Sequence, residues 1–305
     1  MLLMLCATIA AIVAVSSDIV FVSGVNVLGV LSGATIFLGM QVFNGWRWQQ
    51  NYSIVVDDVP LKSTADPIPS LGVFVRIIFL GNLVSLSILP SFVGQDATKL
   101  SLYRWLGTDL KRVTQSIVLS RLSGLSGILI FGIVGLIYLI NAPVWDAINR
   151  DVFGYGLGLE VDDALVFIIA GLIGLIISIL CWRIIRRQKF LNSVYEFVRF
   201  LRWRVFLSAL VAQLMLIASS AVTIMAVGPI EFLEAWSFAS VSALAKIIPF
   251  SLLGLTLGEG VLVGLLMAVG WGADYSIMAA GLMVAFLYLT ASIAFSSELL
   301  RQAIN

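Results

Sequence analysis

Pro90-Ser91-Phe92-Val93-Gly94-Gln95-Asp96 and Pro249-Phe250-Ser251-Leu252-Leu253-Gly254-Leu255-Thr256-Leu257-Gly258-Glu259 break two long apolar runs of this 305-residue chain. Each break sets a proline and glycine ahead of a single carboxylate, where a membrane helix would otherwise continue. Unwound backbone in a bilayer leaves N–H and C=O groups without partners. It persists only where protein covers it or where it lines a wet cavity. Two such interruptions at corresponding places in two halves point to a binding site at the middle of the membrane.

Composition sets the class. Apolar residues make up 60% of the chain, charged residues only 11%, and no soluble core requires that proportion. The fold class expected is an all-α polytopic integral membrane protein. A net charge of +1 gives no basic face for nucleic acid. Histidine is absent, which removes the commonest metal ligand and proton shuttle. Cys6 and Cys181 lie in apolar stretches and read as packing residues. Met1 to Val15 is apolar without a basic leader and reads as a first span rather than a signal.

Stretches long enough to span, at about 20 residues each, run near 1–20, 26–46, 116–140, 164–182, 205–227 and 276–298. The broken stretches lie near 71–94 and 236–272. The eight tryptophans fall mostly at segment ends, as an interfacial belt places them. Arg183, Arg186, Arg187, Lys189, Arg199, Arg202 and Arg204 face one acid, Glu196, in the 183–204 connection. The 96–112 connection carries Lys99, Arg104, Lys111 and Arg112. Both are therefore expected in the cytoplasm, with the acidic 141–163 and 228–235 connections outside. Trp46-Arg47-Trp48 reads as a further cytoplasmic stop, which makes 71–94 dip into the membrane and return. Each half then reads span, span, broken hairpin, span. The expectation is six full spans plus two Pro/Gly-broken re-entrant hairpins, arranged as an inverted repeat of residues 1–145 and 146–305 within one membrane domain.

The candidate cavity at these breaks comprises Pro90, Gly94, Asp96, Lys99, Arg121, Lys246, Pro249, Gly254 and Glu259. For Asp96 the favoured reading is a helix cap; for Glu259, capping and a cavity carboxylate weigh evenly. Lys246, three residues before Pro249, is either a snorkelling base or a partner for Glu259 or a phosphate. Arg121, and likewise Arg76, reads as snorkelling or meeting phosphate at the membrane surface. Gly29/Gly33, Gly254/Gly258 and Gly260/Gly264 are spaced for close helix approach. Gly154-Tyr155-Gly156-Leu157-Gly158 lies in the acidic connection without a preceding strand, so it is not a nucleotide loop. No nucleophile elbow, metal set or paired-carboxylate cleft is visible, so neither enzyme activity nor a cofactor is expected.

At these residues the chain resembles the transmembrane domain of the lysylphosphatidylglycerol synthase family. The likeness rests on Asn82 to Pro90 with Gly94 and Asp96, on Ser120-Arg121-Leu122-Ser123-Gly124-Leu125, and on Pro249, Gly254 and Glu259-Gly260 with the run to Gly270. Where that family has two glycines before the aspartate and an arginine three residues on, this chain has Gly94-Gln95-Asp96 and Lys99. Where it has Gly-x-Gly-x-Arg-Glu, this chain has Gly254, Thr256, Gly258 and Glu259. The resemblance implies a lipid flippase of the bacterial or archaeal inner membrane, without the aminoacyl-transferring domain. Its expected partners are membrane lipids, anionic or linked to a glycan, with a homodimer or a synthase or glycosyltransferase as protein partner. The rival readings are a lipid-binding scaffold subunit for such an enzyme, and a membrane transferase using Asp96 or Glu259 as base.

Overall fold

The computed structural model describes residues 24–58, 68–87, 91–106, 110–142, 203–247, 251–252 and 255–304. The expected spans near 1–20 and 164–182, and most of the 141–163 and 183–204 connections, lie outside the described residues. The described chain is helical. Its elements are α1 (Val27–Asp58), α2 (Leu71–Ser87), α3 (Ser91–Leu106), α4 (Leu110–Asn141), α5 (Trp203–Val227), α6 (Phe232–Ala245), the strand pair β1 (Ser251–Leu252) and β2 (Leu255–Thr256), α7 (Leu257–Ala268) and α8 (Ala273–Ile304). Within this set α1, α4, α5 and α8 are long and apolar enough to cross a bilayer. They carry apolar side chains on their outer faces, among them Leu28 at 75% exposure and Ile277 at 60%. In water such surface is unfavourable; against acyl chains it is not.

Local signals set the ends of these helices. The Asn26 side chain accepts the Gly29 N–H at 3.1 Å, and the Asn26 N–H donates to the Ala226 carbonyl at 2.7 Å. The start of α1 is thereby capped and tied to the end of α5. Gly270 takes φ +87°, a left-handed conformation that favours glycine. It closes α7 while the Trp271 N–H reaches the Leu266 carbonyl at 3.1 Å.

Small residues let the helices cross closely. Gly29 and Gly33 of α1 face Ala226 and Thr223 of α5, as the spacing of this glycine pair predicts. Gly127 of α4 meets Gln213 of α5, while Gly132 and Gly135 face Leu244 and Ser240 of α6. Gly260 and Gly264 meet nothing within 4 Å, so that pair mediates no helix approach among the described residues. The paired helices around each break reach across the molecule: α2 packs on α8, and α6 packs on α4. Four buried apolar clusters result among the described residues, two of them large. One joins Leu139, Ile224, Phe238, Leu262 and Ala279; the other joins Trp48, Tyr52, Phe74, Val113 and Ile117. On α1 and α4 these clusters occupy opposite ends.

Several sequence expectations are corrected. α1 does not stop at Trp46-Arg47-Trp48 but runs as one 32-residue helix to Asp58. Trp48 is fully buried in protein, edge-on to Phe74 at 4.8 Å, and its indole N–H donates to Ser116 Oγ at 3.1 Å. The 96–112 connection is mostly helix, and Lys99 and Arg112 within it are buried. In the first break, Gly94 and Asp96 are helical, so any unwinding there precedes Ser91. Gly94 packs on Ser85 and Gly81 on Gln95, so α2 and α3 close as a helical hairpin. In the second break the chain forms a two-residue β-hairpin, pairing Ser251 with Thr256 and Leu252 with Leu255. Ladder pairing satisfies backbone groups that unwound peptide would leave open. Pro90, Pro249 and Gly254 lie outside the described residues.

The α2–α3 contact gives a direct check. A Cβ at Gly94 would lie 2.9 Å from the Ser85 backbone, whereas one at Gly260 meets nothing. Gly94→Val is expected to destabilise the fold by about 1–3 kcal/mol through overpacking. Gly260→Ala should be neutral or slightly stabilising. Thermal unfolding of the detergent-solubilised variants, followed by size-exclusion chromatography, measures both.

Candidate functional site

Polar residues recur at helical spacing on the inner faces of otherwise apolar helices. On α1 they are Gln41, Asn44 and Arg47; on α4, Ser120 and Arg121 beside Gly124; on α5, Gln213, Ser219 and Ser220. Residues three or four apart share a helix face, so each set converges on the same interior space. That space is a cavity of about 450 Å³, closed further by Met283, Phe286 and Leu287 of α8 and by Lys246, Thr256 and Glu259 from the second break. Its wall residues fall in the middle of α1, α4 and α5, between the two apolar clusters.

The first charged group is centred on Asp96. Arg121 grips its carboxylate through Nε at 3.2 and 3.0 Å and Nη2 at 3.0 Å. Lys99, one turn along α3, lies 3.6 Å from the same carboxylate. Its ammonium also stands 5.6 Å from the centre of the Trp48 ring, a position in which the π face attracts a cation. Lys99 is only 5% exposed, while the Asp96 and Arg121 side chains keep 24% and 39%. Behind them Gln95 Nε2 donates to Asn82 Oδ1 at 2.8 Å, and Asn82 Nδ2 donates to Thr290 Oγ1 at 3.1 Å. This chain of amides fixes α3 against α2 and α8.

The second group is built by the β-hairpin and α7. Glu259 Oε1 meets Lys246 Nζ at 2.6 Å. Its other oxygen accepts the Thr256 N–H at 2.8 Å and also bonds the Thr256 hydroxyl. Thr256 Oγ1 in turn accepts the Gly258 N–H at 3.2 Å. Glu259 therefore caps α7 and neutralises a base at once, which joins the two readings that its sequence position left open. The lysine stem lies against Gly258, where a Cβ would collide with it, and Ser242 Oγ donates to the Gly258 carbonyl at 2.8 Å. A side chain at position 258 would separate Lys246 from Glu259.

The candidates named from sequence thus divide. Lys99, Arg121, Lys246 and Glu259 line one cavity, and Asp96 touches two of them. Asp96 does not cap α3; it sits inside the helix and pairs with Arg121. Arg121 reaches that carboxylate instead of snorkelling to a surface. Gly94 lies away from the cavity wall and serves the α2–α3 contact. Sequence reasoning missed Arg47, Gln41, Asn44, Ser120 and Gln213. The signal was the three-residue recurrence of polar groups at 41, 44 and 47 within an apolar helix. Among the described residues no cluster of carboxylates and cysteines could hold a metal ion. No protein-family model matches the chain, and no curated protein matches it.

The two carboxylates differ in depth, and stability should report it. Glu259→Ala strands Lys246 and uncaps α7, with an expected loss of about 3 kcal/mol. Asp96→Ala frees the more solvated Arg121 and leaves the buried Lys99 with the Trp48 ring, with about 1–2 kcal/mol expected. Comparative thermal denaturation in one detergent ranks them; a larger effect at Asp96 would invert the assignment of depth.

Proposed function

We propose that this chain is a lipid translocator, moving a phospholipid or lipid-linked glycan between the leaflets of a cell membrane. The observation that carries the reading is a charged cavity midway along helices long and apolar enough to span. Stripping water from a headgroup and drawing it through hydrocarbon costs several kcal/mol or more. Fixed polar groups at mid-depth replace that water, and acyl chains can remain outside against the apolar helix faces. Lys99, Arg121 and Lys246 supply donors, while Asp96 and Glu259 hold those bases in place when the cavity is empty of lipid.

Two further features support the reading. The element order around each break is long helix, broken pair, long helix in both halves, and each broken pair packs on the last long helix of the other half. An inverted repeat with its site at the interface of the halves works by rocking one half against the other. The α2–α3 and α6–α7 pairs then act as re-entrant hairpins from opposite faces. The resemblance to the lysylphosphatidylglycerol synthase transmembrane domain agrees with this plan. The role is transport, with no bond made or broken in the lipid.

Reconstitution tests it. Purified protein in liposomes carrying a fluorescent phospholipid should expose inner-leaflet label to an external membrane-impermeant quencher faster than empty liposomes do. Lys246→Ala combined with Glu259→Gln should slow that phase while leaving a monodisperse protein. Equal rates for variant and wild type would remove the cavity from the mechanism. Lipid binding without transfer would favour the scaffold subunit instead.

A further inference from the structure

One face of α4 carries Arg121, Leu125, Ile128, Gly132 and Gly135, at the alternating four- and three-residue spacing of a helix stripe. Neighbouring elements close both ends of that stripe. At one end Asp96 of α3 holds Arg121 at 3.0 Å. At the other, Gly132 and Gly135 lie directly against Leu244 and Ser240 of α6. The eleven residues from Arg121 to Gly132 rise about 16 Å, at about 1.5 Å each. Between the two closures the stripe faces the cavity. Leu125 and Ile128 line it there, and so does Ile247, just past the end of α6.

The same stretch is where the cavity wall reaches the surface. Leu122, Leu125 and Ile247 are the most exposed apolar residues of the lining, at 46%, 36% and 37%. Val118 and Leu129 are exposed on the same flank of α4 and continue this apolar surface along the helix. Each end of the opening carries a base within reach of a ligand. Arg121 keeps the exposure given above, and the Lys246 side chain keeps 26% while its partner Glu259 is buried. Lys246 Nζ has three N–H donors and gives one to Glu259. Arg47 and Lys99, by contrast, are buried behind this edge and add positive charge without presenting donors.

We infer that this window between α3 and the end of α6 is the lateral entry site for an anionic phospholipid. Its phosphate meets the bases at the edges, Arg121 and Lys246, and an acyl chain lies over Leu122, Leu125 and Ile247. The apolar rim keeps that chain out of water while the headgroup turns inward. Four bases against two carboxylates in the wall favour an anionic headgroup over a zwitterionic or cationic one. The choice of a membrane lipid as occupant rests on the proposed function, since a translocator must admit its substrate sideways from the bilayer.

Photolabelling of the full chain in phosphatidylcholine liposomes tests it. Two trace probes are compared, phosphatidylglycerol and phosphatidylcholine, each with a diazirine on one acyl chain, and adducts are mapped by mass spectrometry. Adducts of phosphatidylglycerol should concentrate on residues 118–129 and on Ile247. They should exceed those of phosphatidylcholine about tenfold, the worth of one charge-assisted bond. Lys246→Gln should abolish that preference. Leu125→Trp fills the window with an apolar ring at an exposed position, so it should keep the fold and remove most adducts of both probes there. Adducts spread evenly over α1, α4, α5 and α8 overturn the inference, as does equal labelling by the two probes or labelling unchanged in both folded variants. Window adducts on a protein that does not speed lipid quenching leave the entry site standing and remove translocation instead.

Discussion

An ionised side chain at the middle of an apolar helix must find a partner or be expelled, and this requirement organises the interior. Six charged groups gather around one cavity between two apolar clusters. The carboxylates are placed so that each holds a base from a neighbouring element: Asp96 on α3 with Arg121 on α4, and Glu259 on α7 with Lys246 at the end of α6. Each pair is therefore also a tertiary clamp. Moving either broken element outward would separate charges in a medium where separation is costly.

Close packing at both ends of the helices leaves the middle open. Gly29 and Gly33 bring α1 onto α5, and Gly127 brings α4 onto α5. The aromatic cluster of Trp48, Tyr52 and Phe74 fills the far end. Between these contacts polar side chains share the wall with apolar ones such as Phe37, Met40 and Phe286, and polar groups do not collapse into a dry core without mutual satisfaction. Gln95, Asn82 and Thr290 achieve it in one line across three helices. Arg47 does not: its Nε and Nη1 have no hydrogen-bond partner among the described residues.

Basic residues misled the sequence reading in one consistent way. Arg47, Lys99 and Arg112 read as cytoplasmic ends of spans because a base in lipid is unfavourable. That rule assumes the base faces lipid. Here Arg47 lies inside α1, Lys99 inside α3 and Arg112 in the first turn of α4, all three buried against protein. For Lys99 the Trp48 ring on another helix offsets the penalty beside Asp96 on its own helix, and no local window of sequence contains that ring. The same holds for Trp48, whose indole N–H finds Ser116 rather than a membrane surface.

The sequence alone determined that this chain forms helices long and apolar enough to cross a membrane, because its apolar content and the lengths of its apolar runs allow little else. In the second break it also determined, through the local action of proline and glycine, where regular helix yields, at Ser251–Thr256, whereas Gly94 of the first break stays helical. The cap at Thr256 and Glu259 was readable for the same reason. Tertiary structure alone decided that Asp96 pairs with Arg121, that Lys99 lies against Trp48, and that Arg47 lies beside Gly124. Those contacts join residues 25, 51 and 77 positions apart, and only the crossing of packed helices brings such distant positions together.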